Sequence, residues 1–186
     1  MYKILMTVVC FGLCSVLSVA KAADGEGEKG TAYWTPVQLA LATPIQIVPK
    51  TWDVKGFRLG VIYSYNNDVG FLDAGIVNRT AGDEIGIQIG GIMNRVEGNV
   101  SGIQIAGIVN SVGGNSLVEG MQIACMNTVG DVSGLQTGVV NHSKTMQGVQ
   151  IGVFNLTNEL DGLQIGVINL NTSGSIPFMP LLNFGF

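Results

Sequence analysis

Cysteine, histidine and charge are scarce in this chain of 186 residues, and each scarcity closes off a class of function. Two of the three cysteines, Cys10 and Cys14, lie in an N-terminal segment with the features of a removable leader. The remainder then holds one thiol, Cys125, and no internal disulfide can staple the fold. His142 is the only histidine. A hydrolytic triad would need a nucleophile and a carboxylate arranged around it; Ser143 is adjacent, but the neighbouring segments carry no acid at the equivalent place. His142 therefore reads as a solvated turn residue. Charged residues make up 12%, with a formal net charge of −4 and no basic run, which argues against nucleic acid as a partner because phosphate neutralisation dominates that binding. No P-loop, metal-ligand cluster or dinucleotide fingerprint occurs. A non-catalytic protein without a cofactor is expected.

Residues 1–22 read as a secretory signal peptide. Lys3 supplies a positive start, Ile4 to Ala20 is apolar, and Ala20-Lys21-Ala22 is a small-x-small cleavage site. Lipoprotein processing does not fit, because Cys14 follows Leu13. Export without disulfides suits a bacterial cell surface, outer membrane or periplasm. Residues 23–32 read as a charged, flexible linker. Residues 33–55, interrupted by Pro36, Pro44 and Pro49, read as a non-repeating N-terminal cap.

Residues 56–186 obey one rule, that of a tandem-repeat β domain: Gly, apolar, Gln, apolar, Gly or Ala, apolar, apolar, Asn, then about six mostly polar residues. Gly162 to Asn169 shows it cleanly, and Gly148 to Asn155 and Gly134 to Asn141 match almost residue for residue. Gly120 to Asn127 carries Ala124 in the second glycine place. Gly86 to Asn94 and Gly102 to Asn110 hold one extra residue, and Gly70 to Asn78 has their length with Leu72 in place of Gln. Gly56 to Tyr63 reads as a degenerate first copy and Ile176 to Asn183 as a degenerate last one, as the water-facing ends of a stacked array require.

Apolar residues alternate within each copy, Leu163, Ile165 and Val167 against Gln164 and Gly166, which is strand periodicity. Recurrent glycine would cost a helix about 1 kcal/mol each time. A directional motif in every 14 or so residues fits a parallel β-solenoid of about nine short coils, each motif residue standing above its equivalent. An up-and-down antiparallel transmembrane β-barrel would repeat every two strands. That barrel is the alternative, favoured by Leu182 to Phe186, which resembles a terminal outer-membrane strand, but Gly86 to Val153 lacks any aromatic residue for an interfacial girdle.

Stacking predicts two side-chain amide ladders. One comprises Gln88, Gln104, Gln122, Gln136, Gln150 and Gln164; the other, at a corner, comprises Asn78, Asn94, Asn110, Asn127, Asn141, Asn155, Asn169 and Asn183. Val96, Val100, Val129, Val132, Leu156 and Leu160 would line the opposite wall, and the extra Gly91 and Gly107 would be bulges or widened corners. Cys125, at an apolar motif position, reads as a buried inert thiol. Asp83, Glu84, Glu97, Glu119, Asp131, Glu159 and Asp161 read as solvating charge in the linkers; they lack the Gly-Gly-x-Gly-x-Asp calcium repeat. Asn-x-Ser/Thr triplets begin at Asn78, Asn99, Asn141, Asn155 and Asn171, several of them by-products of the asparagine row running into polar turns.

The Gly-x-Gln-x-Gly-x-x-Asn copies, with the lead-in Asp53 to Leu59 and the closing Pro177 to Phe184, resemble the leptospiral-type bacterial surface-repeat family over Pro36 to Phe186. The resemblance implies an exported surface or envelope location and a repeat architecture, and brings no catalytic residues. The expected role is structural, or binding and adhesion, with membrane association allowed, a surface or envelope component as the open partner class, and an outer-membrane barrel as the alternative.

Overall fold

The computed structural model describes residues 33–186, so the leader and linker readings fall outside the described residues. From Trp34 onward the chain winds into an all-β solenoid of about nine turns, with no helix among the described residues. The first coil holds β1 (Trp34–Ala42) and the short β2 (Ile45–Gln46). Next come β3 (Asp53–Asn66), β4 (Val69–Thr80) and β5 (Glu84–Val96), one long bent strand per coil. Three coils are each split at a corner, giving β6 (Val100–Ala106) with β7 (Val109–Val112), β8 (Leu117–Ile123) with β9 (Met126–Thr128), and β10 (Asp131–Thr137) with β11 (Val140–His142). Long strands return with β12 (Thr145–Thr157) and β13 (Glu159–Asn171), and β14 (Phe178–Gly185) ends the stack.

Every pairing from coil to coil between β1 and β13 is parallel, with register shifts at bulges only in β1–β3, β3–β4 and β4–β5. Only the β1–β2 hairpin and the closing β13–β14 pair are antiparallel. An up-and-down barrel needs antiparallel neighbours throughout, so the barrel alternative is set aside.

The register corrects several alignments read from the sequence. Asp73, not Leu72, stands in the glutamine row, opposite Gln88, and Phe71 stands opposite Gly86. The early copy thus has the usual eight-residue length, with Phe71 in the place of the first glycine and Asp73 in that of the glutamine, and Gly70 is a decoy one place upstream. Ser64, not Tyr63, closes the first repeat, opposite Asn78. The segment read as a non-repeating cap forms the first coil of the stack and sets Gln38 in the glutamine row, because β1 lies parallel to β3 with Gln38 beside Arg58. At the far end Asn183 pairs antiparallel with Gln164, so it extends the glutamine row and not the asparagine row. The final segment turns back instead of making another coil.

One glycine row shows why the motif opens as it does. Gly86, Gly102, Gly120, Gly134, Gly148 and Gly162 have φ between +118° and +143°, a region closed to most side chains. A Cβ on Gly134 would also overlap the carbonyl oxygen of Gly120 one coil below. Phe71 occupies this row at φ +86°, with its side chain exposed and packed edge-on against Phe57, ring centroids 5.2 Å apart.

The interior has an apolar strip of Val96, Val100, Val112, Val118, Val129, Val132, Met146 and Leu160, all buried. Leu156 does not belong to it. It is half-exposed, and its neighbour Thr157 points inward instead. Val48, Trp52, Val54 and Val69 are buried in the N-terminal coils as well, and polar side chains fill much of the remaining interior.

Candidate functional site: a polar interior and an apolar outer wall

Strand alternation divides each coil into inward and outward residues, and here it turns the usual distribution of polarity inside out. The glutamines point inward with no exposed surface, while Ile151 and Val153, flanking Gly152 on the same coil, are 40% and 39% exposed. A buried primary amide is stable only when its donors and acceptor are satisfied. Stacking at one coil per rung does this by letting each amide bond its own copies above and below.

Gln104 Nε2 donates to Gln88 Oε1 at 2.8 Å, Gln122 to Gln104 at 2.8 Å, Gln136 to Gln122 at 2.9 Å, Gln150 to Gln136 at 2.7 Å and Gln164 to Gln150 at 2.8 Å. Asn183 Nδ2 completes the row on Gln164 Oε1 at 3.2 Å. All these bonds run toward the N-terminal end. The asparagine row runs the other way. Asn78 donates to Asn94, Asn94 to Asn110 and Asn110 to Asn127, each at 3.0 Å; Asn127 donates to Asn141 at 2.9 Å, and Asn141 to Asn155 and Asn155 to Asn169 at 2.8 Å each. The second amide hydrogen of each reaches a main-chain carbonyl of the next coil, as Asn141 does to Ile151 at 2.9 Å. Asn169 has no asparagine above it and bonds the carbonyls of Gly166 and Met179. Two rows of aligned amide dipoles with opposite senses offset each other along the stack.

Toward the N-terminus the glutamine row gives way to charge. Asp73 offers only acceptors, so it takes Gln88 Nε2 at 2.8 Å from one side and a two-pronged Arg58 guanidinium at 2.7 and 2.6 Å from the other. Arg58 also reaches Thr80 Oγ1 at 3.0 Å and the Arg79 carbonyl at 2.9 Å. Below it, Gln38 closes the row by exchanging two bonds with the Val48 main chain. Burial alone would lower the Arg58 pKa, but the charge and hydrogen bonds of Asp73 leave it raised.

Glu84 is the exception among the acids read as solvated. It stands in the valine row between Val69 and Val100 and is 1% exposed. One carboxyl oxygen accepts from Thr80 at 2.9 Å and from Gln88 at 3.2 Å, while the other has no partner. Loss of hydration first, and the nearby Asp73 charge second, push its pKa well above the ordinary carboxylate value. Asp83, Glu97, Glu119, Glu159 and Asp161 are exposed and Asp131 is half-buried. Among the described residues no three of His, Cys, Asp and Glu gather to hold a metal ion.

His142 and Ser143 point to opposite sides of the wall. The His142 ring is partly exposed with Thr128 Oγ1 at 3.3 Å, whereas the Ser143 hydroxyl is fully buried, donating to Thr157 and accepting from Gln150. They cannot act as a nucleophile and its base. Cys125 is exposed, not buried, because the register sets it on the outward corner with Val139 and Val153. Asn78, Asn141 and Asn155 are buried ladder rungs, so their Asn-x-Ser/Thr triplets present no accessible amide.

Outward, four adjacent rows run the height of the stack: before the glutamine, after it, at the corner, and before the asparagine. Ile87, Ile89, Ile92 and Met93 fill them in one coil, and Val149, Ile151, Val153 and Phe154 in another. No Asp, Glu, Lys or Arg occupies any of these rows among the described residues; Tyr63, Thr137 and Cys125 are the departures from aliphatic or aromatic carbon. Between the row after the glutamine and the corner row runs a furrow floored by Gly138, Gly152 and Gly166, with a volume of about 700 Å³ in the C-terminal half. It recurs in the N-terminal half between Leu39, Leu41, Leu59 and Val61. Charged side chains border these rows: Arg79 and Arg95 are the outward residues that follow Asn78 and Asn94 on the same strands, and Glu119 is exposed just before Gly120. Sequence reading found both ladders but missed this wall, whose signal was the absence of charge from every motif position but two, Arg58 and Asp73. No family model, curated protein or solved structure gives a significant match to this chain.

Proposed function

We propose that the chain is an exported, non-catalytic scaffold of a bacterial cell envelope that works by presenting its apolar wall to a partner. The observation that carries this reading is the uncharged outer wall, whose apolar rows run the height of the stack, where an ordinary monomer exposes only scattered patches of a few hundred Å². The polar interior supplies the complementary half of the argument, since a ladder of self-satisfied amides gives rigidity and a fixed repeat without a large hydrophobic core. The leader-like residues 1–22 support export, and the likeness of the motif to leptospiral-type surface repeats supports an envelope location. Placing Ser143 and His142 on opposite sides of the wall removes the one pairing from which hydrolysis could have been argued.

The test expresses the full coding length in a bacterial host, determines the N-terminus by mass, and follows a C-terminal tag through fractionation. A chain starting at Ala23 and recovered with the envelope is the expected result. A full-length chain that stays in the cytoplasm would count against the reading.

A further inference from the structure

We propose that the partner on the apolar wall is a second copy of this chain, the two solenoids lying wall to wall as a symmetric dimer. The inference rests on the reading of that wall as a docking surface and adds the identity of its occupant.

Size is the first argument. About nine coils at about 4.8 Å each give a height of roughly 40 Å, and the five residues from the first row to the corner row, where the chain bends, add a width of roughly 15 Å. The product, about 600 Å², reaches the lower end of what each partner contributes to a stable complex and stands at the top of the range for the largest apolar patch of a typical monomer.

Self-fit is the second. The furrow over Gly138, Gly152 and Gly166 is flanked by the ridge of Ile151 and Ile165 and the ridge of Val153 and Val167. In a copy related by a two-fold axis the same ridges and furrow recur at the same coil spacing. A ridge of one copy then enters the furrow of the other along the whole contact, side chain between side chain, as in-register β walls do. A partner lacking this period would mesh over only a coil or two.

Charge is the third. With no ionised group on the wall, two copies approach without burying an unpaired charge or facing like charges. A lipid surface fits less well. Proteins that lie in a membrane interface use Trp, Tyr and basic residues along the rim; here Tyr33, Trp34, Lys55, Arg79 and Arg95 confine that chemistry to the N-terminal coils, and Gly86 to Val153 contains no aromatic residue.

The experiment uses the full chain as the cell processes it, in detergent-free buffer at micromolar concentration. Sedimentation velocity gives its mass, and maleimide labelling of Cys125, located by peptide mass, reports whether the wall is covered. The expected result is a dimer in which Cys125 reacts at least tenfold more slowly than in Val153→Asp, with that variant monomeric and its β-type circular dichroism unchanged. Val167→Asp, at a site 58% exposed, repeats the test should Val153→Asp fail to fold. A dimer that neither variant dissociates, or a monomer with fast-reacting Cys125, overturns the proposal. A monomer whose Cys125 becomes protected on phosphatidylethanolamine–phosphatidylglycerol vesicles also overturns it, in favour of lipid, while sparing the docking-surface reading. If neither vesicles nor an envelope extract slows the labelling, that reading falls as well.

Discussion

The two halves of the stack solve one problem with different chemistry. From Gln104 to Gln164 the interior row is a single neutral residue type, each amide donating to the coil below. From Gln38 to Gln88 the same row holds Arg58 and Asp73, with Glu84 beside them. A neutral rung repeats indefinitely because donor and acceptor are on one group. A charged rung cannot, because a carboxylate only accepts and a guanidinium only donates, so the two must come as neighbours and the direction of donation reverses at Asp73. Charge therefore makes the N-terminal half specific in register and costly to disturb, whereas the C-terminal half is uniform and tolerant of added copies.

Breaking the charged half should produce the largest effect. Asp73→Ala leaves Arg58 buried and unpaired, and urea unfolding should show a loss of about 3–5 kcal/mol. Replacing both, Arg58→Gln with Asp73→Gln, extends the neutral ladder and should recover most of that loss. Failure of the pair to recover it would mean that Thr80 and the Arg79 carbonyl, and not the rung itself, hold Arg58 in place.

The neutral half should break more gently. Gln136→Ala strands the Gln122 carbonyl and one Gln150 donor, at a cost of roughly 1–3 kcal/mol. A change within about 0.5 kcal/mol would mark Gln136 as solvated. Gly134→Ala should cost more than about 1 kcal/mol through its positive φ and the Gly120 carbonyl. Phe71→Gly relieves the same backbone position but gives up the Phe57 contact and adds unfolded-state entropy, so equilibrium unfolding should place it within about 1 kcal/mol of the parent.

Glu84 sharpens the comparison through pH. Its folded pKa is raised, so the folded state keeps a proton that the unfolded chain releases above a pKa of about 4.3. The stability linked to that proton is present at low pH and is lost as pH rises through the folded value. Glu84→Gln removes the dependence, and its melting temperature relative to the parent should climb from pH 5 to pH 9. A constant difference across that range would show Glu84 ionised and solvated.

The period, the strands and the parallel stacking were legible in the sequence because each rests on local residue types. Register in the early copies was not. Gly70 mimics the opening glycine while Phe71 takes its place, and only the pairing of Asp73 with Gln88 reveals the shift. Asn183 was misplaced because spacing carries no strand direction, and β14 runs antiparallel. Glu84 and Cys125 were assigned to the wrong sides for a related reason. Alternation defines two faces without saying which is inside, and the ordinary preference for buried carbon points the wrong way in a coil whose amides satisfy one another.

The account stands on the glutamines being inside and hydrogen-bonded to one another. The most direct measurement is hydrogen exchange at their side-chain amides, followed by ¹⁵N NMR on the folded chain. Slow exchange at Gln104, Gln122, Gln136, Gln150 and Gln164, against fast exchange at exposed Gln147, is the predicted result; exchange of all of them at the rate of free glutamine would contradict it.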